Sequence, residues 1–362
     1  MNNATTYYVQ TMPGVEEIAW LEIRDKLPGA KFSETVFAKD QNGLLLFSYS
    51  GDASDLFQLR AVEDVFVLAV SIDKVPRTRQ VLPQLTELIG ESATFQHAID
   101  IAMPIRKQPG RPSYRAISRL YGSHDIYRKQ LGEAVRRGMK ERYPRWRLVD
   151  DHAMLEIWIN LLGSRLVGGI RLTDRTMRHR FNKPMPLKAA LRPSVAAAMI
   201  HLTQPTDDDI FLDPMCGSGT LLMERRYAGA YSQMLAGDML YDHTQAARQN
   251  VHALRKEPPN SFGALHLDAT RLPLANGSIT KVATNLPFGK QISSPKALKR
   301  LYPAFFGELE RVLGRNGRAV VLSSEYDLVK ESVRQCSNLE ILTGYSVAVL
   351  GQWGRIYILR RS

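Results

Sequence analysis

Three carboxylates and one amide recur along the second half of the chain, each just after a short apolar run: Asp213, Asp238, Asp268 and Asn285. The first opens Asp213-Pro214-Met215-Cys216-Gly217-Ser218-Gly219-Thr220, which follows Ile210-Phe211-Leu212 and precedes Leu221-Leu222-Met223-Glu224-Arg225. A strand, a Gly-rich turn and a helix in that order make a nucleotide-binding crossover. Gly217 and Gly219 let the backbone turn sharply and come close to a ligand, and the acid at the strand end holds a cationic or hydroxyl-bearing group. The turn lacks the Gly-Lys-Ser/Thr of a phosphate cradle, and Asp213 would repel a pyrophosphate. A cationic nucleoside fits better, and S-adenosylmethionine is the usual one, with Met215, Cys216 and Thr220 in the same turn. Asp238, followed by Met239, stands where it could accept from both ribose hydroxyls. Asp268, followed by Ala269, stands where it could accept from the adenine amine. A lone Asp commonly caps a helix, but three after three successive strands describe a nucleoside site.

The fourth strand ends in Asn285-Leu286-Pro287-Phe288-Gly289. An Asn oxygen and the carbonyl before a proline both accept hydrogen bonds, and the proline fixes the backbone so that the two can converge on one NH2 group. Phe288 can stack on the ring that carries that amine. An exocyclic amine is a poor nucleophile because its lone pair is delocalised into the ring. Two acceptors that localise charge on the nitrogen address that difficulty, and proximity to an electrophilic methyl supplies up to about 7 to 11 kcal/mol in the best-oriented cases, so no strong base is needed. The motif by itself specifies an amine, not which base bears it.

These residues need a scaffold that lines up strand ends. After Arg192-Pro193-Ser194, strands are expected at 210–213, 234–238, 263–267, 279–284, 317–322, 339–346 and 353–360, with helices between most of them. That is a doubly wound α/β pattern whose ligands lie across the carboxyl ends of the strands. The last two strands lack an intervening helix and should form an antiparallel hairpin at the sheet edge.

The first half reads differently. Tyr7-Tyr8-Val9, a helix opening at Pro13-Gly14, and strands near 30–39 and 44–49 around an Asn42-Gly43 turn make a small α+β unit. A helix near 52–60 and the strand Val65–Val70 lead into a second unit. It is expected to hold helices at 80–89 and 93–102, a strand at 113–119, a helix from an Asp125 N-cap to Arg142, and strands at 153–159 and 165–172. The polar stretch 173–188, with Arg175, Arg178, Arg180 and Lys183, reads as a linker.

The 362 residues suit two to three domains, and the net charge of +12 suggests a polyanionic partner. Between Arg106 and Arg147 stand thirteen basic residues against three acidic ones, most of the excess. They include Arg106, Lys107, Arg111, Arg115, Arg128, Arg136 and Arg137. Tyr114, Tyr121, Tyr127, Tyr143 and Trp146 are interleaved with them, surfaces for sugar, phosphate or a frayed base. Two cysteines, Cys216 and Cys336, make no disulfide framework and have no metal-ligand company. No signal segment and no apolar run of membrane-spanning length is evident, so a cytoplasmic protein without membrane association is expected.

Together, Asp213 to Thr220 and Asn285 to Gly289 resemble the motifs of class I S-adenosylmethionine-dependent amino-methyltransferases. Gly168-Gly169-Ile170-Arg171-Leu172-Thr173 and Leu191-Arg192-Pro193-Ser194 are similar to the THUMP-containing tRNA (guanine-N2) methyltransferases. The likeness is specific over about residues 160 to 290. It implies a ferredoxin-like domain over 1–65, a THUMP RNA-binding domain over 66–172 that grips the tRNA acceptor stem and 3′ end, the linker 173–188, and a Rossmann-like methyltransferase domain over 189–362. It further implies that Asp213, Gly217 and Gly219 hold the methionine part of S-adenosylmethionine, Asp238 the ribose and Asp268 the adenine. Asn285, Leu286, Pro287 and Phe288 would hold the target base, flipped from its stack. Arg178 and Lys290 join the expected RNA-binding residues, no metal is called for, and the protein is expected to act as a monomer. The acceptor implied is the N2 amine of guanosine 6 in tRNA. A ribosomal RNA guanine-N2 methylase, an adenine-N6 DNA methylase, and an RNA-binding protein with a relict cofactor fold are the competing expectations. A pyrimidine C5 methylase needs a nucleophilic cysteine, and neither Cys216 nor Cys336 is placed for it.

Overall fold

The computed structural model describes residues 4–37, 43–76, 78–187, 190–254, 261–288, 294–349 and 351–362, and divides the chain into two units, Met1–Met177 and Arg178–Ser362. Asn42, Gly289 and Lys290 lie outside the described residues.

In the first unit, β1 (Thr5–Gln10), β2 (Lys31–Val36), β3 (Leu44–Tyr49), β4 (Asp64–Ile72), β5 (Ser113–Tyr121), β6 (Arg147–Leu148), β7 (Leu155–Leu162) and β8 (Arg165–Arg171) form one sheet in the order β2-β3-β1-β4-β8-β7-β5-β6. Its helices are α1 (Glu16–Lys26), α2 (Val81–Glu91), α3 (Ala93–Ile105) and α4 (Arg128–Arg142). The expected division between residues 65 and 66 falls inside β4. That strand pairs antiparallel with β1 on one side and β8 on the other, so one ladder of hydrogen bonds runs across the division. The helix expected near 52–60 is a 3-10 turn, Ala53–Gln58, with Asp52 accepting from the Ser54 amide. Helix α4 starts two residues later than an Asp125 cap requires, with Tyr127 at the cap position. The Gln130 side chain accepts the Tyr127 N–H at 2.8 Å, so the first turn closes at Tyr127 and Asp125 does not cap it. The apolar face is otherwise as the spacing predicts: Leu131, Ala134, Val135 and Met139 are buried.

The second unit carries β9 (Ile210–Asp213), β10 (Gln233–Asp238), β11 (Phe262–His266), β12 (Ile279–Asn285), β13 (Leu313–Ser323), β14 (Leu339–Val349) and β15 (Gln352–Arg361). Between or before them lie α5 (Pro193–Leu202), α6 (Thr220–Tyr227), α7 (Tyr241–His252), α8 (Pro295–Val312) and α9 (Tyr326–Arg334). The sheet order is β11-β10-β9-β12-β13-β15-β14. Strands β9 to β13 are parallel, and β15 runs antiparallel between β13 and β14, which gives the expected edge hairpin. Chain order reverses on either side of β9, so the crevice that doubly wound sheets use for ligands opens at the carboxyl end of that strand. Beneath it, Leu298, Tyr302, Phe305, Phe306, Leu309 and Val312 form one buried stripe of α8 and pack on Val282, Leu286, Ala319 and Val321. Full burial of one such side chain contributes about 1.5 to 3 kcal/mol, so that stripe anchors the strand carrying the Asn-Leu-Pro-Phe motif.

Candidate active site

Register brings the expected residues together. Leu212 of β9 lies opposite Val282 of β12, and Asp213 lies opposite Ala236 of β10. Asp213, Asp238 and Asn285 therefore stand at the carboxyl ends of three adjacent strands. The loop after β9 closes over them: the Cys216 amide donates to the Gly237 carbonyl at 2.8 Å and the Gly217 amide to Asp238 Oδ2 at 2.9 Å. Asp238 Oδ1 accepts from the Leu240 amide at 3.0 Å and lies 3.2 Å from His243 Nδ1. Strand β10 thus fixes the loop through its carboxylate as well as its backbone.

The two glycines do different work. Gly219, at φ +79°, is the residue before α6, and a Cβ there would come within 3.1 Å of the Ala247 Cα on α7. Gly217, at φ +49°, faces open space, with nothing within 4 Å of a Cβ built on it. One glycine admits the packing of the loop on a helix, and the other leaves room above the loop for a ligand.

Asp213 is buried, and burial pushes its carboxyl up to about 7. The charge of Asp238 pushes the same way, while the Thr284 hydroxyl and the Met215 amide pull it down. An acid so placed is poised to ionise when a cation arrives. Cys216 is buried too, and burial with two nearby carboxylates raises its thiol well above the usual range. Burial lifts Cys336 to about 11. Neither thiol is an activated nucleophile.

At the end of β12, Asn285 Oδ1 is buried and has no hydrogen-bond partner among the described residues. Buried polar atoms without a partner are uncommon and costly, about 1 to 3 kcal/mol each. Its neighbours are held: the Leu286 amide donates to Leu322 O at 3.0 Å, and Tyr302 Oη donates to the Pro287 carbonyl at 3.1 Å. Tyr302 Oη also meets Ser323 Oγ at 2.7 Å. Leu286 and Phe288 are buried.

Asp268 lies two residues past β11 and is exposed, with Oδ1 accepting from the Thr270 amide and hydroxyl at 2.8 Å each. Ala269 is buried, Met215 packs against the core, and Met239 is 64% exposed beside Asp238.

Residues 178–187, expected as part of a linker, instead pack on the second unit. Arg180 Nε donates to Glu224 Oε1 at 2.8 Å, and the rings of Phe181 and Tyr227 lie 6.0 Å apart. Lys183 Nζ donates to Ser218 Oγ at 2.8 Å and Thr220 Oγ1 at 2.6 Å. Asn250, fully buried on α7, donates through Nδ2 to the Met185 carbonyl at 2.9 Å and the Ser218 carbonyl at 3.0 Å, and accepts the Met185 amide at 2.9 Å. It clamps this segment to the Gly-rich loop. Lys183 and Asn250 join the candidate site through these contacts, which the sequence does not reveal. An Asn inside a helix is out of place by propensity, and that was the one available signal.

In the first unit Arg128, Arg136 and Arg137 are exposed on α4, as are Lys107 and Arg111 before β5. Arg106 is tied inward, its Nε donating to the Met154 carbonyl at 3.4 Å, and Arg115 Nη1 lies 3.4 Å from Asp151 Oδ1. The aromatic residues divide. Tyr127 is 73% exposed, Tyr114 is buried, and Tyr143 stacks on Trp146 at 4.5 Å and donates to Gln96 Oε1 at 2.7 Å. Tyr114 is a packing element, a correction to its expected place among the contact surfaces, while Tyr121, Tyr143 and Trp146 are half-buried. Arg178 is half-buried in the second unit.

Residues 178–349 match the family described as UPF0020, RMKL-like, methyltransferase domain. The chain is 29% identical over 62% of its length to the tRNA (guanine(6)-N(2))-methyltransferase THUMP3 of Bos taurus, covering 46% of that protein. It is 23% identical to the tRNA (guanine(6)-N2)-methyltransferase of Methanocaldococcus jannaschii, over 98% of this chain and 99% of that one. The chain thus spans under half of the cattle relative. The crystal structure of TrmN from Thermus thermophilus superposes with a TM-score of 0.77 at 21% identity, covering 99% of this chain and 100% of that one. The fold is shared along the whole chain, including the Rossmann-like second unit.

Proposed function

We propose, on the premise that the second unit is an RMKL-like methyltransferase domain, that this chain methylates the exocyclic N2 amine of a guanosine in tRNA with S-adenosylmethionine as donor. The observation that carries the reading is Asn285 Oδ1, a buried acceptor without a partner among the described residues, at the carboxyl end of β12 and two strands from Asp238. An amine N–H is the partner it lacks. The residues present fit the cofactor: Gly217 leaves open space over the loop, Asp213 can ionise against a cationic group, and Asp238 sits where ribose hydroxyls would reach its remaining lone pairs.

S-adenosylmethionine, when bound, supplies a methyl group on a sulfonium sulfur. Asn285 Oδ1 and the Leu286 carbonyl accept the two N–H groups of the target amine and so draw electron density onto its nitrogen. Tyr302, donating to the Pro287 carbonyl, keeps those acceptors in place. The amine proton passes to water, since an amide side chain cannot take it. Asp268 takes the adenine amine, with Met239 and Ala269 beside the ring. The first unit, as ferredoxin-like and THUMP segments, grips the acceptor stem, with Lys107, Arg111, Arg128, Arg136 and Arg137 on phosphates. Guanosine 6 is the position the named relatives support. The protein acts as a monomer in the cytoplasm; among the described residues no helix is long and apolar enough to cross a membrane. The test is labelled-methyl transfer to unmodified tRNA beside ribosomal RNA fragments and duplex DNA. Transfer to tRNA alone is expected, and label in either competitor but not in tRNA would overturn the reading.

A further inference from the structure

Lys183 is a partly buried cation held against the Gly-rich loop. Its ammonium reaches Ser218 Oγ at 2.8 Å and Thr220 Oγ1 at 2.6 Å, both in the Gly-rich loop. Those partners are neutral hydroxyls. They satisfy two of the three N–H donors, and among the described residues no carboxylate is in ion-pair contact with the ammonium. The carboxylate that acts on Lys183 from a distance is Glu224, which accepts the Arg180 Nε–H at 2.8 Å and makes no ion pair with Lys183 among the described residues. Burial accordingly lowers the lysine to about 8. Thr220 also begins α6, whose first amides add positive potential at the same point. A partly buried cation beside a helix N-terminus is costly unless a negative group completes it.

The placement is built rather than incidental. Asn250 ties the Met185 backbone to the Ser218 carbonyl, and Arg180 ties the preceding residues to Glu224. Lys183 is held between these two anchors, over the loop.

We propose that Lys183 binds the carboxylate of the cofactor's methionine moiety. This rests on the proposed use of S-adenosylmethionine. The carboxylate is the only anionic group of that molecule, and the loop carrying Ser218 and Thr220 is the one assigned to its methionine end. Lys183 offers the carboxylate its third donor, while Asp213 on the same loop answers the ammonium, so the two ends of the amino acid are told apart by opposite charges.

The test is calorimetry on the full chain with S-adenosylhomocysteine and with its decarboxylated analogue, which differs only in lacking the carboxylate. The wild-type protein should prefer S-adenosylhomocysteine by about ten- to a hundred-fold, the worth of a charged hydrogen bond. Lys183→Met should lose that preference, binding S-adenosylhomocysteine more weakly and the analogue as before, and Lys183→Arg should keep part of it. Parallel loss of both ligands in Lys183→Met would make the residue a structural clamp and overturn the proposal, as would unchanged affinity for both. A wild-type protein that binds neither ligand would instead defeat the cofactor assignment itself.

Discussion

Lowering the pH from about 7 to about 5.5 should weaken S-adenosylhomocysteine binding about sixteen-fold in the wild-type protein and leave Asp213→Asn nearly unaffected. The magnitude follows from burial. Asp213 is lifted from 3.8 to about 7, so about half of it is ionised at pH 7 and about 3% at pH 5.5. If the ionised form holds the ligand's ammonium, affinity follows that fraction, a difference of about 1.6 kcal/mol. The window lies below the range in which Lys183, at about 8, loses its proton. Calorimetry in two buffers of different ionisation enthalpy adds a second readout: about half a proton released per ligand at pH 7 in the wild type, and none from Asp213→Asn. Stability shows the same group with the opposite slope. Because the folded value is raised, the native protein holds an extra proton between about pH 4 and pH 7, and stability falls as pH rises through that window by up to about 4 kcal/mol relative to Asp213→Asn. Equal pH slopes for the two proteins, in binding and in unfolding, would refute the reasoning.

Asn285→Ala should lower the single-turnover rate of methyl transfer by at least about a hundred-fold, the scale for losing one preorganised polar contact to a reacting group. Its S-adenosylhomocysteine affinity should stay within about threefold of wild type, and retained turnover would remove Asn285 from the chemistry. Reversing Arg136 and Arg137 to glutamate should weaken tRNA binding and shrink its salt slope by about one per residue, with no change in cofactor affinity; filter binding across a salt series reads both. Arg225→Met should destabilise the second unit by about 3 to 5 kcal/mol in urea unfolding. Arg225 is fully buried, pairs with Asp209 at 2.9 Å, and donates to the Thr206 and Ala230 carbonyls, so its loss strands a buried carboxylate.

The strand-end residues were legible because their signals are local. Asp213, Asp238 and Asn285 each close an apolar run, and a parallel sheet converts that shared position in sequence into one shared edge in space. The edge hairpin of β14 and β15 was legible for a similar reason: no helix intervenes. Lys183 and Asn250 were not legible, since their partners lie 35 and 65 residues away and their own surroundings are ordinary polar sequence. The charge of the 106–147 segment was visible, but its faces were not. Only packing decides that Tyr127 is exposed while Tyr143 is stacked on Trp146. The start of α4 was misplaced because Gln130 outcompetes Asp125 for the first turn, a choice between two polar side chains that hydrophobic spacing does not register.

Nucleoside mass spectrometry of unmodified tRNA, incubated with the full chain and S-adenosylmethionine and then mapped by nuclease digestion, meets the central claim most directly. N2-methylguanosine is expected in the acceptor stem at guanosine 6, absent from the Asn285→Ala reaction. Methylation of an adenine, of a pyrimidine carbon or of a ribose hydroxyl would contradict it.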